Sequence, residues 1–262
     1  MIRQLTFASL LLASFALQTV AHAQAPGWAK VRIGVEANYP PFSMLGTDGK
    51  FSGFDIDIAN AICADMKAEC TMVAQEWDGM MPALNAKKFD MIVASMSITE
   101  ERKKNADFSD SYYDIPSTWI GKTGSFTAVD AAALKGKKII VTRNTPRAAY
   151  VLANFKDSEV LQVAKESEVT MELAAGRGDI GFGSSLAATA AFLKSPEGKN
   201  YARIGSPVML GSAKTGGGVG IAMRKGEDTL KSKVNASLKN ITANGVYKTI
   251  NDKYFDVNIR GE

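Results

Sequence analysis

Apolar residues along the chain recur in two alternating rhythms: short runs typical of buried strands, and stripes typical of amphipathic helices. The first run, residues 31–35, is rich in β-branched side chains and predicts a strand. A helix is predicted next over residues 54–67, where Ile58, Ile62 and Met66 fall on one face. The elements predicted after it are a strand at 70–74, a helix at 77–87 and a strand at 89–94. This order predicts an α/β domain with a largely parallel sheet.

The same rhythm returns in the second half of the chain. Its predicted elements are strands at 138–142, 160–164 and 179–182 and helices at 146–155, 167–175 and 185–194. Two segments separate the halves: residues 111–122, a predicted hinge, and Gly205-Ser206-Pro207, a predicted second crossover. A glycine-led strand at 216–223 and two helices between 227 and 254 complete the pattern. Because those glycines precede a strand and no G-K-[ST] follows them, a phosphate loop is not indicated.

The N-terminus has the pattern of an export signal. Arg3 precedes an apolar stretch over residues 5–20, and Ala21-His22-Ala23 offers an A-x-A cleavage site. We therefore predict a cleaved signal peptide over residues 1–23 and a periplasmic location; the alternative is a buried N-terminal helix. His22 is the only histidine of the chain, so the mature protein would have none.

The composition excludes some classes of function but does not identify one. The chain has 22% charged residues and a net charge of +4, which is typical of a globular protein. Its lysines are scattered along the sequence, so no nucleic-acid-binding surface is predicted. No second apolar run approaches the roughly 20 residues that span a bilayer, which predicts a soluble mature protein.

The two cysteines, Cys63 and Cys70, are close in sequence. In an exported protein such a pair predicts one small disulfide loop. A metal or redox site is the alternative, but it would need C-x-x-C spacing or histidine partners, and the mature chain has neither.

Seven short motifs follow one another along the chain. They are IGVEANYPPF from Ile33, GFDIDIANAIC at 53–63, WDGMMPAL at 77–84, FDMIVASMSITEER at 89–102, AAGRGDI at 174–180, GVGIAMRK at 218–225 and YFDV at 254–257. In this order they resemble the polar-amino-acid branch of the periplasmic solute-binding proteins (family 3). Within that branch they are most similar to the lysine/arginine/ornithine- and histidine-binding proteins and to the opine-binding proteins.

This resemblance implies the type II periplasmic binding protein fold, in which two hinge strands join two α/β lobes. The first lobe would comprise residues 26–114 and 209–262, and the second residues 115–208. The lobes would close on a small ligand, and a monomeric receptor would deliver it to the membrane subunits of an ABC importer. Such a receptor needs no cofactor or metal, and it catalyses no reaction.

The resemblance also assigns ligand contacts in the first lobe. Arg102 would bind a ligand carboxylate through its guanidinium, with Ser95 and Ser97 adding donors. Thr99 is predicted as the N-cap of the helical turn that holds Arg102. Three further residues complete this wall: Tyr39 and Trp77, which would enclose the ligand side chain, and Glu36, which would meet its distal cation.

In the second lobe, Thr145 is predicted at a helix N-terminus, where it would donate to the carboxylate. Arg147, beside it, has two possible roles: it contacts a second ligand carboxylate, or it points to solvent. At Ser184 the family pattern has an acid that holds the ligand α-ammonium, and a serine hydroxyl supplies no charge there. The ligand would then be a polar, basic amino acid whose amine is held by another group, or an opine with a substituted amine.

Two other classes of function remain at this point. A periplasmic enzyme such as a dehydratase occurs on the same scaffold, but its acid–base pair would have to include Glu36. A sensory module would need a separate membrane partner, since the sequence after residue 23 has no predicted transmembrane segment.

Overall fold

The computed structural model describes residues 27–187, 191–212, 215 and 217–260. The predicted signal peptide over residues 1–23 lies outside them, as do Gly216 in the glycine-led segment and residues 188–190 in the predicted helix 185–194.

Two five-stranded sheets organise the chain, as the repeated rhythm predicts. The strands of the first sheet are β1 (Lys30–Val35), β5 (Glu69–Ala74), β6 (Met91–Ile92), β7 (Asp107–Phe108) and β13 (Ala222–Met223). Those of the second sheet are β8 (Ser117–Lys122), β9 (Lys138–Thr142), β10 (Glu159–Val163), β11 (Ile180–Ser184) and β12 (Tyr201–Val208). A small sheet of β2 (Asn38–Tyr39), β3 (Ser43–Leu45) and β4 (Phe51–Ser52) extends the first.

The two sheets share one topology. The first has the order β5-β1-β6-β13-β7 and the second the order β10-β9-β11-β8-β12. In each, three neighbouring strands pair in parallel, the fourth (β13 or β8) is antiparallel to both of its neighbours, and the edge strand beyond it (β7 or β12) points the same way as the first three. The prediction of a largely parallel sheet therefore holds for the direction of four strands of five. The carboxyl ends of the parallel strands are where an open α/β sheet places its binding residues.

Helices cover the sheets. They are α1 (Phe54–Met66), α2 (Met80–Asn85) after a 3-10 turn at Trp77–Gly79, α3 (Glu100–Lys103), α4 (Pro146–Asn154), α5 (Glu166–Ala174), α6 (Ser185–Ala187), α7 (Asp228–Ala243) and α8 (Val246–Tyr254). The last two pack against α1, so the C-terminal part returns to the body of the first sheet. We call that body lobe 1 and the body of the second sheet lobe 2; the exact lobe boundaries stay a prediction.

Two predicted connections are in large part strands of the second sheet. Residues 117–122 of the predicted hinge form β8, which pairs with β11 and β12. Gly205-Ser206-Pro207 lie within β12, where the register shifts between Ile204 and Val208. Because β12 is an edge strand and is bulged at this point, it accommodates a proline, which has no N–H to donate to a neighbouring strand. The chain therefore crosses between residues 108 and 117, and again after residue 208.

The predicted disulfide is present and joins α1 to β5. Cys63 and Cys70 are bonded, with their Cα atoms 6.2 Å apart. Within the described residues no helix has the length and the apolar character that crossing a membrane requires.

Replacing both cysteines by serine should lower the free energy of unfolding by ~2–3 kcal/mol, because the disulfide restricts a short loop of the unfolded chain. Urea unfolding of the Cys63→Ser/Cys70→Ser variant measures this loss. Ligand affinity should not change, since neither cysteine lines the cavity described below. A large change in affinity with unchanged stability would contradict this account.

Candidate ligand-binding site

A cavity lies between the lobes and contains most of the predicted site residues. Its lining comprises Glu36, Tyr39, Trp77, Ala94, Ser95, Ser97, Arg102, Ile115, Thr142, Thr145, Pro146, Arg147 and Glu166. Of the nine predicted ligand contacts, only Ser184 is not among these residues.

Glu36 follows the last residue of β1 and carries a buried carboxylate. Only 7% of the residue is exposed, and no lysine or arginine of the described residues lies within 4.0 Å of it. Burial, with Glu166 and Glu76 nearby, raises the pKa of Glu36 from 4.5 to about 8. A carboxyl group in this setting ionises readily at neutral pH only when a cation comes close to it.

Arg102 lies in α3, whose N-cap is Thr99, as predicted. Its guanidinium donates to the carbonyl of Ser97 at 2.8 Å and to that of Asn144, in lobe 2, at 2.9 Å. It also lies over the Trp77 ring, 5.1 Å from the centroid. Burial, with Arg147 nearby, lowers the pKa of Arg102 to about 10. Since a guanidinium has five N–H donors, these two carbonyls leave others for a carboxylate.

Tyr39 and Trp77 line the same cavity but differ in their surroundings. Tyr39 is buried, stacks on Phe42 with 5.2 Å between ring centroids, and interacts with Arg147 and Ser184. Trp77 is only partly buried and is covered on one side by Arg102. No ring contact joins Tyr39 to Trp77 within the described chain, although both line the cavity.

Ser95 lines the cavity, but its hydroxyl is already engaged. It donates to the buried carboxylate of Asp55 at 2.8 Å and accepts from Tyr113 at 2.6 Å. Tyr112 donates to the other Asp55 oxygen at 2.8 Å. Burial outweighs these hydrogen bonds and raises the pKa of Asp55 to about 6. Ser95 therefore fixes the cavity floor rather than offering a free hydroxyl donor to a ligand.

Thr145 is the N-cap of α4, and Pro146 follows at the first helical position. Its hydroxyl accepts from the N–H of Ala148 at 3.1 Å and donates to the carbonyl of Thr142 at 2.6 Å. Because the Thr145 hydroxyl already donates within lobe 2, a ligand at the start of α4 would accept hydrogen bonds from backbone N–H groups instead.

Arg147 lines the cavity and does not point to solvent. Its side chain is 12% exposed and forms an ion pair with Glu166 at 2.8 Å, from Nη2 to Oε2. Its buried Nε atom has no hydrogen-bond partner among the described residues. Of the two predicted roles, the solvent-facing one is wrong, because a carboxylate of the protein draws the guanidinium inward.

Sequence reasoning missed Glu166 and Thr142. Glu166 is the first residue of α5, where a glutamate is ordinarily a solvated charge at a helix N-terminus. Its partners are 18 to 24 residues away in sequence, so no local pattern could have revealed them.

Several polar contacts join the lobes along the rim of the cleft. Asp78 accepts from the Arg143 guanidinium at 2.7 Å and from the Asn144 side chain at 2.7 Å. Lys165 lies 2.9 Å from Glu76, nitrogen to carboxylate oxygen. Together with the bond from Arg102 to Asn144, these contacts hold the two lobes against each other, so the structure is a closed form.

The geometry fits a binding site for a small zwitterion, with guanidinium, carboxylate and aromatic walls around one cavity. The described residues contain no group of three or more histidine, cysteine or acidic side chains arranged to hold a metal ion.

Comparison with known proteins agrees with this geometry. Residues 31–257 match the model of the bacterial extracellular solute-binding proteins, family 3. The L-arginine-binding protein of Pseudomonas aeruginosa is 44% identical over 88% of this chain and 90% of its own. The lysine/arginine/ornithine-binding periplasmic protein of Escherichia coli is 37% identical over 94% of this chain and 95% of its own.

A solved structure shows the same two-lobed architecture. An ancestral arginine-binding protein bound to arginine superposes with a TM-score of 0.79 and 34% identity, covering 87% of this chain and 98% of its own. With a family model matched over most of the chain, and relatives well above 30% identity, the chain belongs to the bacterial extracellular solute-binding proteins of family 3.

Proposed function

We propose that this chain is a periplasmic receptor that captures a basic amino acid by lobe closure and delivers it to the membrane subunits of an ABC importer. The observation that carries the proposal is Glu36, a buried carboxylate without a cation partner in the described chain, in one cavity with Arg102. A guanidinium and an ionisable carboxyl group at separate points match the carboxylate and the distal cation of such a ligand.

In this proposal the ligand carboxylate binds Arg102 and the backbone N–H groups at the start of α4. The side-chain cation binds Glu36, and the aliphatic part lies between Tyr39 and Trp77. Arginine is the ligand we favour, because the similar proteins include arginine binders and because a guanidinium can donate twice to the Glu36 carboxylate.

An opine would bring a second carboxylate, and Arg147 is the cation that would have to meet it. Arg147 is instead paired with Glu166 inside the protein. The ion pair therefore favours an amino acid with a single carboxylate over an opine.

We propose that the protein acts by binding alone, as a monomer, and that no bond of the ligand is made or broken. Lobe closure supplies the signal to the importer, and a ligand drives closure only through tighter binding to the closed form. The rim contacts support this mechanism, because they form only when the lobes meet. The lobes would be residues 26–114 with 209–262, and residues 115–208.

A ligand panel tests the proposal directly. Protein from residue 24 onward, unfolded and refolded to remove bound ligand, should be stabilised by arginine, lysine or ornithine. At 100 times the dissociation constant the gain is ~2.7 kcal/mol, which a thermal-shift measurement detects readily. Histidine, glutamine, glutamate, octopine and nopaline complete the panel. A response to octopine or nopaline alone would favour the opine reading, and chemical conversion of any bound ligand would show an enzyme.

Binding of a basic amino acid should release up to one proton at pH 7. In the closed form without ligand the pKa of Glu36 is about 8, so its carboxyl is mostly protonated there; a bound cation lowers that pKa and expels the proton. The affinity should therefore rise with pH by up to about tenfold per unit until about pH 8. Calorimetry in buffers of different ionisation enthalpy measures the proton count. Glu36→Gln should remove both effects, and proton uptake by the wild type would contradict this role.

Asp78→Asn should weaken ligand binding by about two- to fivefold, because it removes the charge from an exposed ion pair that only the closed form makes. The difference from wild type should shrink at high salt. Asp252→Asn is a matched control, since Asp252 pairs with Lys248 within α8 and away from the cleft. Equal effects of the two substitutions on the dissociation constant would show that the rim does not contribute to closure.

A further inference from the structure

Position 184 cannot supply the charge that its place in the family pattern suggests. Ser184 is fully buried at the end of β11. Its hydroxyl accepts from the backbone N–H of Ala187 at 3.2 Å and interacts with Tyr39. A ligand ammonium in this part of the cavity therefore needs an anion from somewhere else.

Glu166 brings a carboxylate to this place from a different element. Its Oε1 atom accepts from the backbone N–H of Ser184 at 2.5 Å, so the charge lies directly beside position 184. Its Oε2 atom accepts from the Thr142 hydroxyl at 2.7 Å and from Arg147 at 2.8 Å. The side chain is 10% exposed, and that remaining surface borders the ligand cavity.

Gly183, which precedes Ser184, leaves room for the Glu166 side chain. A Cβ atom on Gly183 would lie 2.8 Å from Glu166 Oε1, so a larger residue at 183 would require the end of the glutamate side chain to shift. With glycine at 183, the carboxylate reaches the backbone N–H of Ser184 without that shift.

We propose that Glu166 holds the α-ammonium of the ligand, in place of the acid that position 184 lacks. The inference rests on the proposed function, since it presumes an amino acid in the cavity. A carboxylate has about four acceptor positions, and the described chain fills three of those on Glu166. The fourth, on Oε1, is the position for an ammonium N–H, while Arg147 and Thr142 hold the other oxygen in place.

The rival role for Glu166 is a purely structural one, as the partner of the buried Arg147. The two roles predict different ligand preferences. A structural ion pair stabilises lobe 2 whatever the ligand, whereas an ammonium contact distinguishes ligands that have the α-amine from ligands that lack it.

The test compares L-arginine with 5-guanidinopentanoic acid, which is arginine without its α-amine, by calorimetry on wild type, Glu166→Gln and Glu36→Gln. Glu166→Gln should weaken arginine binding by about 30-fold or more and 5-guanidinopentanoic acid binding by less than threefold, since a charge-assisted hydrogen bond is lost only with the first. Glu36→Gln should weaken both compounds to a similar degree, because both carry the distal guanidinium.

Two further variants keep the test decisive. The Glu166→Gln variant leaves Arg147 as a buried cation without its carboxylate partner, and the double variant Arg147→Met/Glu166→Gln removes that cation. The double variant should have lost the preference for arginine over 5-guanidinopentanoic acid, as the single variant has. Ser184→Asp in the Glu166→Gln background should restore that preference by at least tenfold. Circular dichroism and the melting temperature confirm that each variant is folded.

The outcomes separate this inference from the function on which it rests. Failure of wild type to bind either compound overturns the proposed function and the role of Glu166 with it. Wild type that binds arginine, with Glu166→Gln weakening both compounds equally, overturns the role of Glu166 alone and leaves a structural ion pair.

Discussion

Closing two lobes over a small cavity removes water from charged groups, and this desolvation is the constraint on which the rest of the structure depends. Arg102, Arg147, Glu36 and Glu166 all line the closed cleft. A buried charge is tolerated only when a counter-charge or hydrogen bonds compensate it. Arg147 and Glu166 compensate each other, and Arg102 has two carbonyls and a tryptophan ring. Glu36 has no counter-charge among the described residues, so burial raises its pKa instead; in the proposed function the ligand cation supplies that counter-charge.

The floor of the cleft is tied to the core of lobe 1 through Asp55. This carboxylate accepts from Ser95 and Tyr112, and Tyr113 in turn donates to Ser95. The tyrosines pack against Phe54 in an aromatic cluster that α1 and α8 also contact. Lobe 1 therefore provides a surface that is anchored in its hydrophobic core, and lobe 2 brings the Arg147–Glu166 pair to it.

The sequence predicts a structural feature well when the residues that cause it are close together along the chain. Most strands and helices follow from periodicity within ten or so residues, and the Thr99 and Thr145 caps follow from one residue and its neighbours. Gly205-Ser206-Pro207 look like a connection because a bulged edge strand has turn-like composition. The direction of Arg147 depends on Glu166, which is close only in the folded chain. The sequence motifs identify most of the site residues, but which charged groups pair with each other is seen only in the three-dimensional structure.

The contact between Gly183 and Glu166 couples two positions that lie on different elements. A larger residue at 183 would push the end of the Glu166 side chain away from the end of β11. The same carboxylate accepts from the backbone N–H of Ser184 and pairs with Arg147. A substitution at 183 is therefore expected to act on the charge balance of the cleft through Glu166, so its effect would depend on which residue is present at 166.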